Sequence, residues 1–115
     1  MKVVQNVAAA NVAPVWFQAA MQQIQQSFAE LRQDVVNGPI RRDNFNAGVP
    51  ESPIYPLEVN GQVPDPFPEN RRGLFALING EINPILNFYN LDNAGTLIQK
   101  RRRLARFIGL RILDN

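Results

Sequence analysis

Six of the twelve basic side chains in this 115-residue chain fall between positions 100 and 112, in the run KRRRLARFIGLRI, although the formal net charge is only +2. Cations at that density can neutralise phosphates, with binding that falls steeply with salt and reads no sequence. They can also serve as an import signal, or form the solvated or intersubunit face of a docked helix, where basic residues near the C-terminus suit the helix dipole. Lys100, Arg102, Arg103 and Arg106 are read as the one basic side of the last helix. Leu97, Leu104 and Ile108 form the opposite stripe, with Ile98 and Ala105 at its edge. Arg101 falls inside the apolar sector, where it must snorkel, pair with a carboxylate such as Glu81, or mark a contact with another chain. Phe107 is the one ring at the edge of the basic face, too little for a single-strand stacking platform.

Other chemistries are excluded by residue type. With no cysteine and no histidine, the chain has no disulfide, no thiolate nucleophile, no Ser-His-Asp triad and no imidazole acid or base. Asp92 and Glu81 could approach each other across a helix pair, but no neighbour in the pattern activates them. Gly38, Gly48, Gly61, Gly95 and Gly109 fit turns and caps, and no phosphate-cradling glycine loop occurs. The expectation is a protein that is not an enzyme, with no catalytic residue, cofactor, metal site or small-molecule substrate.

Positioning elements are legible along the chain. Phe17, Met21, Ile24, Phe28, Leu31 and Val35 are spaced four, three, four, three, four, the a/d rhythm of a heptad seam. Pro14 suits a first helical turn, and Asn37-Gly38-Pro39 supplies a left-handed stop followed by a residue that resists helix continuation. These signals predict a coiled-coil helix over 14–37, about 35 Å long at 1.5 Å per residue. Its polar side is rich in glutamine (Gln18, Gln22, Gln23, Gln25, Gln26, Gln33), and Trp16 widens the apolar face. Two and a half heptads are short for an isolated dimer. The alternative to self-association is that this face covers the chain's own C-terminal half.

Residues 38–70 read as a proline-rich strap, with six of the nine prolines between Gly48 and Pro68. Such a segment favours extended geometry. Asn60-Gly61, between Leu57-Glu58-Val59 and Gln62-Val63, is a tight-turn signature that predicts a short β-hairpin. Ile54, Tyr55, Leu57, Val59, Val63 and Phe67 are too many apolar groups for a freely solvated linker, so the strap should lie in a groove of its own domain or of a neighbour. From Arg71 the pattern turns helical: one short turn over 73–77, then a helix capped by Asn79 or Asn83, with Pro84 near its first turn and Ile82, Ile85, Leu86 and Tyr89 on one face. Thr96 and Gln99 make a capping box at the start of the last helix. The fold class is mainly α, divided into a tail (1–13), the coiled-coil helix (14–37), the strap (38–70) and a helix-loop-helix domain (71–115).

The stretch LINGEINPILNFYNLDNAGT, residues 77–96, resembles the helix, extended loop, helix pattern of SAP-type modules at Glu81-Ile82, Ile85-Leu86, Tyr89, Leu91 and Gly95. That resemblance implies DNA binding by the second helix and the loop before it. The sequence departs from the pattern at Lys100, where an apolar residue is usual, and at Asp92, whose charge opposes phosphate. Roughly residues 54–113, with the proline-rich approach, LFAL, the helix pair and LARFIGLRI, also resemble the C-terminal domain of a fungal family of meiotically upregulated proteins. That family joins a short coiled coil to this domain, and its molecular function is undefined.

Together these signals predict a homo-oligomeric assembly protein. The rival is a SAP-like nucleic-acid-binding module to which the coiled coil supplies valency. No apolar run reaches the roughly 18 residues of a membrane span. Gln5, Asn6 and Asn11 break up the apolar N-terminal stretch, which favours the cytoplasm or nucleus over secretion.

Overall fold

The computed structural model describes residues 14–112, so the predicted tail over 1–13 lies outside the described residues. Four helices follow in order: α1 (Val15–Phe45), α2 (Arg71–Leu74), α3 (Asn79–Phe88) and α4 (Leu97–Phe107). Extended pairing among the described residues is confined to two isolated antiparallel bridges, Pro53 with Asn70 and Val59 with Gln62. The architecture is mainly α. The chain divides into two compact units, Met1–Arg32 and Gln33–Asn115.

The described part of the first unit is helical from Val15, and the carbonyl of Pro14 just before it accepts from the Phe17 and Gln18 N–H groups at 3.0 and 3.1 Å. Proline just ahead of a helix forfeits no intrahelical bond, since the first N–H groups have no partner there.

In the second unit, the stop predicted at Asn37-Gly38-Pro39 does not operate, and α1 runs on to Phe45 with Pro39 inside it. The strap therefore begins after Phe45 rather than at 38. The reason is tertiary. The Asn37 side chain does not cap the helix but pairs with one strap residue, its Nδ2 donating to the Glu58 carbonyl and its Oδ1 accepting from the Glu58 N–H, both at 2.8 Å. Seven residues on, Asn44 does the same with Tyr55, donating at 2.9 Å and accepting at 2.8 Å. Its Nδ2 also donates to the Ile108 carbonyl at 2.8 Å. Two turns apart on one helix face, two carboxamides thus stand in for the neighbouring strand that an extended backbone would otherwise need. Losing the five bonds of Asn37 and Asn44 would cost about 5 kcal/mol at roughly 1 kcal/mol per bond, more than the roughly 3 kcal/mol of helix propensity that an internal proline costs.

Held this way, the strap enters the core. Ile54 and Leu57 are buried, and Val59 and Phe67 pack against the core from its margin. Tyr55 and Val63 stay exposed. Asn60 and Gly61 both have positive φ (54° and 78°), and the Val59 N–H and Gln62 N–H each bond the other's carbonyl, at 2.8 and 3.1 Å. This is the geometry of a tight two-residue turn. Pairing does not extend beyond that one bridge. At the base of the strap, the Ile54 N–H donates to Glu69 and the Arg71 N–H to Ser52, at 3.2 and 3.0 Å, closing the loop on itself.

The helix pair completes the core. Ile82, Ile85, Leu86 and Tyr89 of the α3 stripe are buried, as are Leu104, Ala105 and Ile108 of α4, with Leu74 and Leu77 beneath. Asn79 is the first residue of α3 rather than its cap. The start is closed by Glu81, whose Oε1 accepts from the Ile78 N–H at 3.0 Å. Thr96 and Gln99 form the reciprocal capping box, Thr96 Oγ1 accepting from Gln99 N–H at 3.2 Å and Gln99 Oε1 from Thr96 N–H at 2.9 Å. Both helices end in the double-bonded left-handed motif, through Asn90 (φ 57°) after α3 and Gly109 (φ 95°) after α4. At Gly109 a Cβ would stand 2.7 Å from the Arg41 carbonyl oxygen, so glycine there also sets how closely α1 approaches.

Tyr89 joins helix pair to strap, its hydroxyl donating to the Leu57 carbonyl at 2.8 Å. Burial pushes its phenol from the ordinary 10.0 up to about 12. A folded-state value above the unfolded one gives stability that is complete below pH 10 and is lost as pH rises from 10 toward 12. Replacing Tyr89 with Phe should remove that part of the alkaline decline, on the order of 2–3 kcal/mol from a shift of this size, when urea midpoints of parent and variant are compared across that range. Asn44→Ala, which removes three bonds inside the core, should cost about 3 kcal/mol in the same assay, at roughly 1 kcal/mol per bond.

Candidate functional site

Two surfaces carry what the sequence singled out. The first is the heptad seam. Phe17, Met21, Ile24, Phe28 and Leu31 of the first unit are all exposed, from 40% at Met21 to 71% at Phe28. Val15 and Trp16 are exposed beside them. Val35, in the second unit, is exposed as well. It lies two and nine residues from Asn37 and Asn44, which is 200° and 180° around the helix, so the clamped face of α1 in this unit is the one away from Val35. Gly38, the next position in the four-three rhythm, also borders open space.

The second surface is α4, where the predicted four-cation face comes apart. Lys100 is buried, not solvated, and its Nζ donates to Asn79 Oδ1 and Asn83 Oδ1, each at 3.0 Å. It occupies a core-facing place, and two asparagines of α3 replace the water its ammonium would lose. At 100° per residue Lys100 lies only 40° from Leu104, on the apolar side of the helix, so grouping it with the basic face followed its charge rather than its angle. The two asparagines at i and i+4 in α3 were the signal for a polar seat.

Arg103 is half-buried and donates to the Asp92 and Ala94 carbonyls, bracing the loop between α3 and α4. Arg102 and Arg106 remain exposed, and Arg102 has no hydrogen bond or ion pair among the described residues. Arg101 does not meet Glu81. Its Nε donates to the Leu77 carbonyl at 2.8 Å, while Glu81 is spent on the Ile78 N–H. Backbone carbonyls at a helix-helix junction offer an acceptor without the desolvation cost of a second buried charge, which explains the partner chosen. Phe107 packs against Tyr89 at 4.8 Å between centroids, with the ring planes inclined at 46°, and lies under Arg41 at 5.3 Å, so it is part of the packing.

Asp92 and Glu81 each serve their own turn, Asp92 Oδ1 accepting from the Ala94 N–H at 2.9 Å. Among the described residues, every buried side-chain nitrogen and oxygen has a hydrogen-bond partner. No helix among them is long and apolar enough to cross a membrane. The residues that sequence reasoning missed are Asn37 and Asn44. Their seven-residue spacing, one heptad on the non-seam side, was the available clue.

No protein-family model matches the chain, and neither does any curated protein or solved structure.

If Lys100 is a structural cation, Lys100→Met should elute from phosphocellulose at the parent's salt concentration and change stability by no more than about 1 kcal/mol, because both asparagines can turn to water. Arg102→Ala combined with Arg106→Ala should elute earlier.

Proposed function

We propose that the chain is a non-enzymatic assembly protein that associates with further copies of itself through the Phe17, Met21, Ile24, Phe28, Leu31 and Val35 seam, each copy carrying a folded strap-and-helix unit. The observation that supports this is the combination of strict heptad spacing with exposure of all six side chains. A regular apolar stripe of this length on an unpaired helix marks an interaction surface, and helices of this size owe their stability mainly to packing of such a stripe. Full burial of one such side chain is worth about 1.5–3 kcal/mol. With roughly half of that still to be gained at six positions, association offers on the order of 5–10 kcal/mol per copy, against an association cost of about 4–15 kcal/mol. The assembly should therefore depend on concentration.

Nucleic-acid binding through α4 would rely on Arg102 and Arg106 as outward cations, enough to offset about two phosphates per copy. It would need the valency of an assembly to reach useful affinity.

Phe28 is 71% exposed, so Phe28→Asp should leave the folded unit intact while placing charges in the seam. Light scattering should give the parent at a multiple of 13.0 kDa and the variant at the single-chain mass. A well-folded parent at 13.0 kDa at micromolar concentration, or a variant of unchanged multiple mass, would contradict the proposal.

A further inference from the structure

The second unit holds a groove of about 270 Å³ lined by Arg71, Phe75, Ile98, Arg101, Arg102 and Ile112. Among the described residues its lining is three guanidinium groups and three apolar side chains, with no carboxylate. Arg102 also borders an adjoining depression formed with Gln99, Arg103 and Arg106, again without an acidic side chain. The two depressions together present five arginines.

We propose that this groove docks an acidic peptide segment of a partner protein, with one apolar side chain seated on Phe75, Ile98 and Ile112 and flanking carboxylates held by Arg71, Arg101 and Arg102. Two of these arginines are already fixed. The Arg71 guanidinium lies 5.1 Å from the Phe75 ring centre and reaches the Ala47 carbonyl at 3.4 Å, and Arg101 is held by its 2.8 Å bond to Leu77. A guanidinium carries five N–H donors in a rigid fork, so one anchoring bond leaves donors for a carboxylate and reduces the rotamer entropy lost on binding. Charge complementarity selects an anionic occupant, and the floor selects its class. One face of the Phe75 ring carries Arg71, and Ile98 and Ile112 offer no π surface, so the floor favours an apolar side chain over a stacked base. A phosphate backbone would leave three apolar side chains in contact with water. An acidic segment with an apolar anchor satisfies both halves of the lining.

The test is selection of a random twelve-residue peptide library displayed on phage against the immobilised full chain, followed by fluorescence anisotropy with the enriched peptide. The expected enrichment is of sequences with aspartate or glutamate on both sides of a leucine or phenylalanine. Ile98 and Arg102 are exposed, so Ile98→Asp and Arg102→Glu should fold normally and each weaken the enriched peptide by at least about tenfold, the loss expected at the centre of a small interface. The proposal is overturned if no acidic consensus emerges. It is overturned in favour of nucleic acid if a single-stranded oligonucleotide binds more tightly than any enriched peptide and is indifferent to Ile98→Asp. It is overturned in favour of a second copy if Ile98→Asp lowers the solution mass of the chain.

Discussion

The folded unit depends on two carboxamides. Asn37 and Asn44 each offer one acceptor and one donor to a single residue of an extended segment that has no strand beside it, and Asn44 reaches the end of α4 as well. A proline-rich segment cannot satisfy its own backbone through a helix, and here it finds no sheet. Buried next to a core without such partners, the N–H and C=O groups of Tyr55 and Glu58 would each cost about 1–3 kcal/mol. With those partners, Ile54 and Leu57 can be drawn inside. The same bonds hold α1 in helical form past Pro39, against local propensity, and Gly109 then lets α4's end close on Arg41.

Much of this was readable where the governing contact is local. The Thr96 and Gln99 box, the Asn60-Gly61 turn and the stripe of Ile82, Ile85, Leu86 and Tyr89 each depend on residues a few positions apart, so spacing alone identifies them. The end of α1 was not readable, because the stop signal at Asn37-Gly38-Pro39 is sound locally and is overruled by bonds to residues 11 to 64 positions away. Lys100 is the same lesson on a smaller scale. A charged residue was assigned to solvent, and two asparagines on α3 accept its ammonium inside the fold.

The basic run thereby changes meaning. Lys100, Arg101 and Arg103 are engaged with asparagine or backbone oxygens that tie α4 to α3, to the Leu77 junction and to the loop. These three serve the packing of a small core that has few apolar side chains to spare. Outward charge is concentrated instead around Arg102, where it adjoins an apolar floor. On α1 the division of labour is similar: Asn37 and Asn44 face the strap, and Val35, on the other side, is exposed.

The central claim is that a second copy covers the seam. Hydrogen exchange of the backbone amides of residues 17–31, followed over a concentration series, tests it most directly. The account predicts that their protection rises together with concentration while that of Leu104 and Ile108, set within one chain's core, stays constant. Protection of 17–31 that does not change with concentration would contradict it.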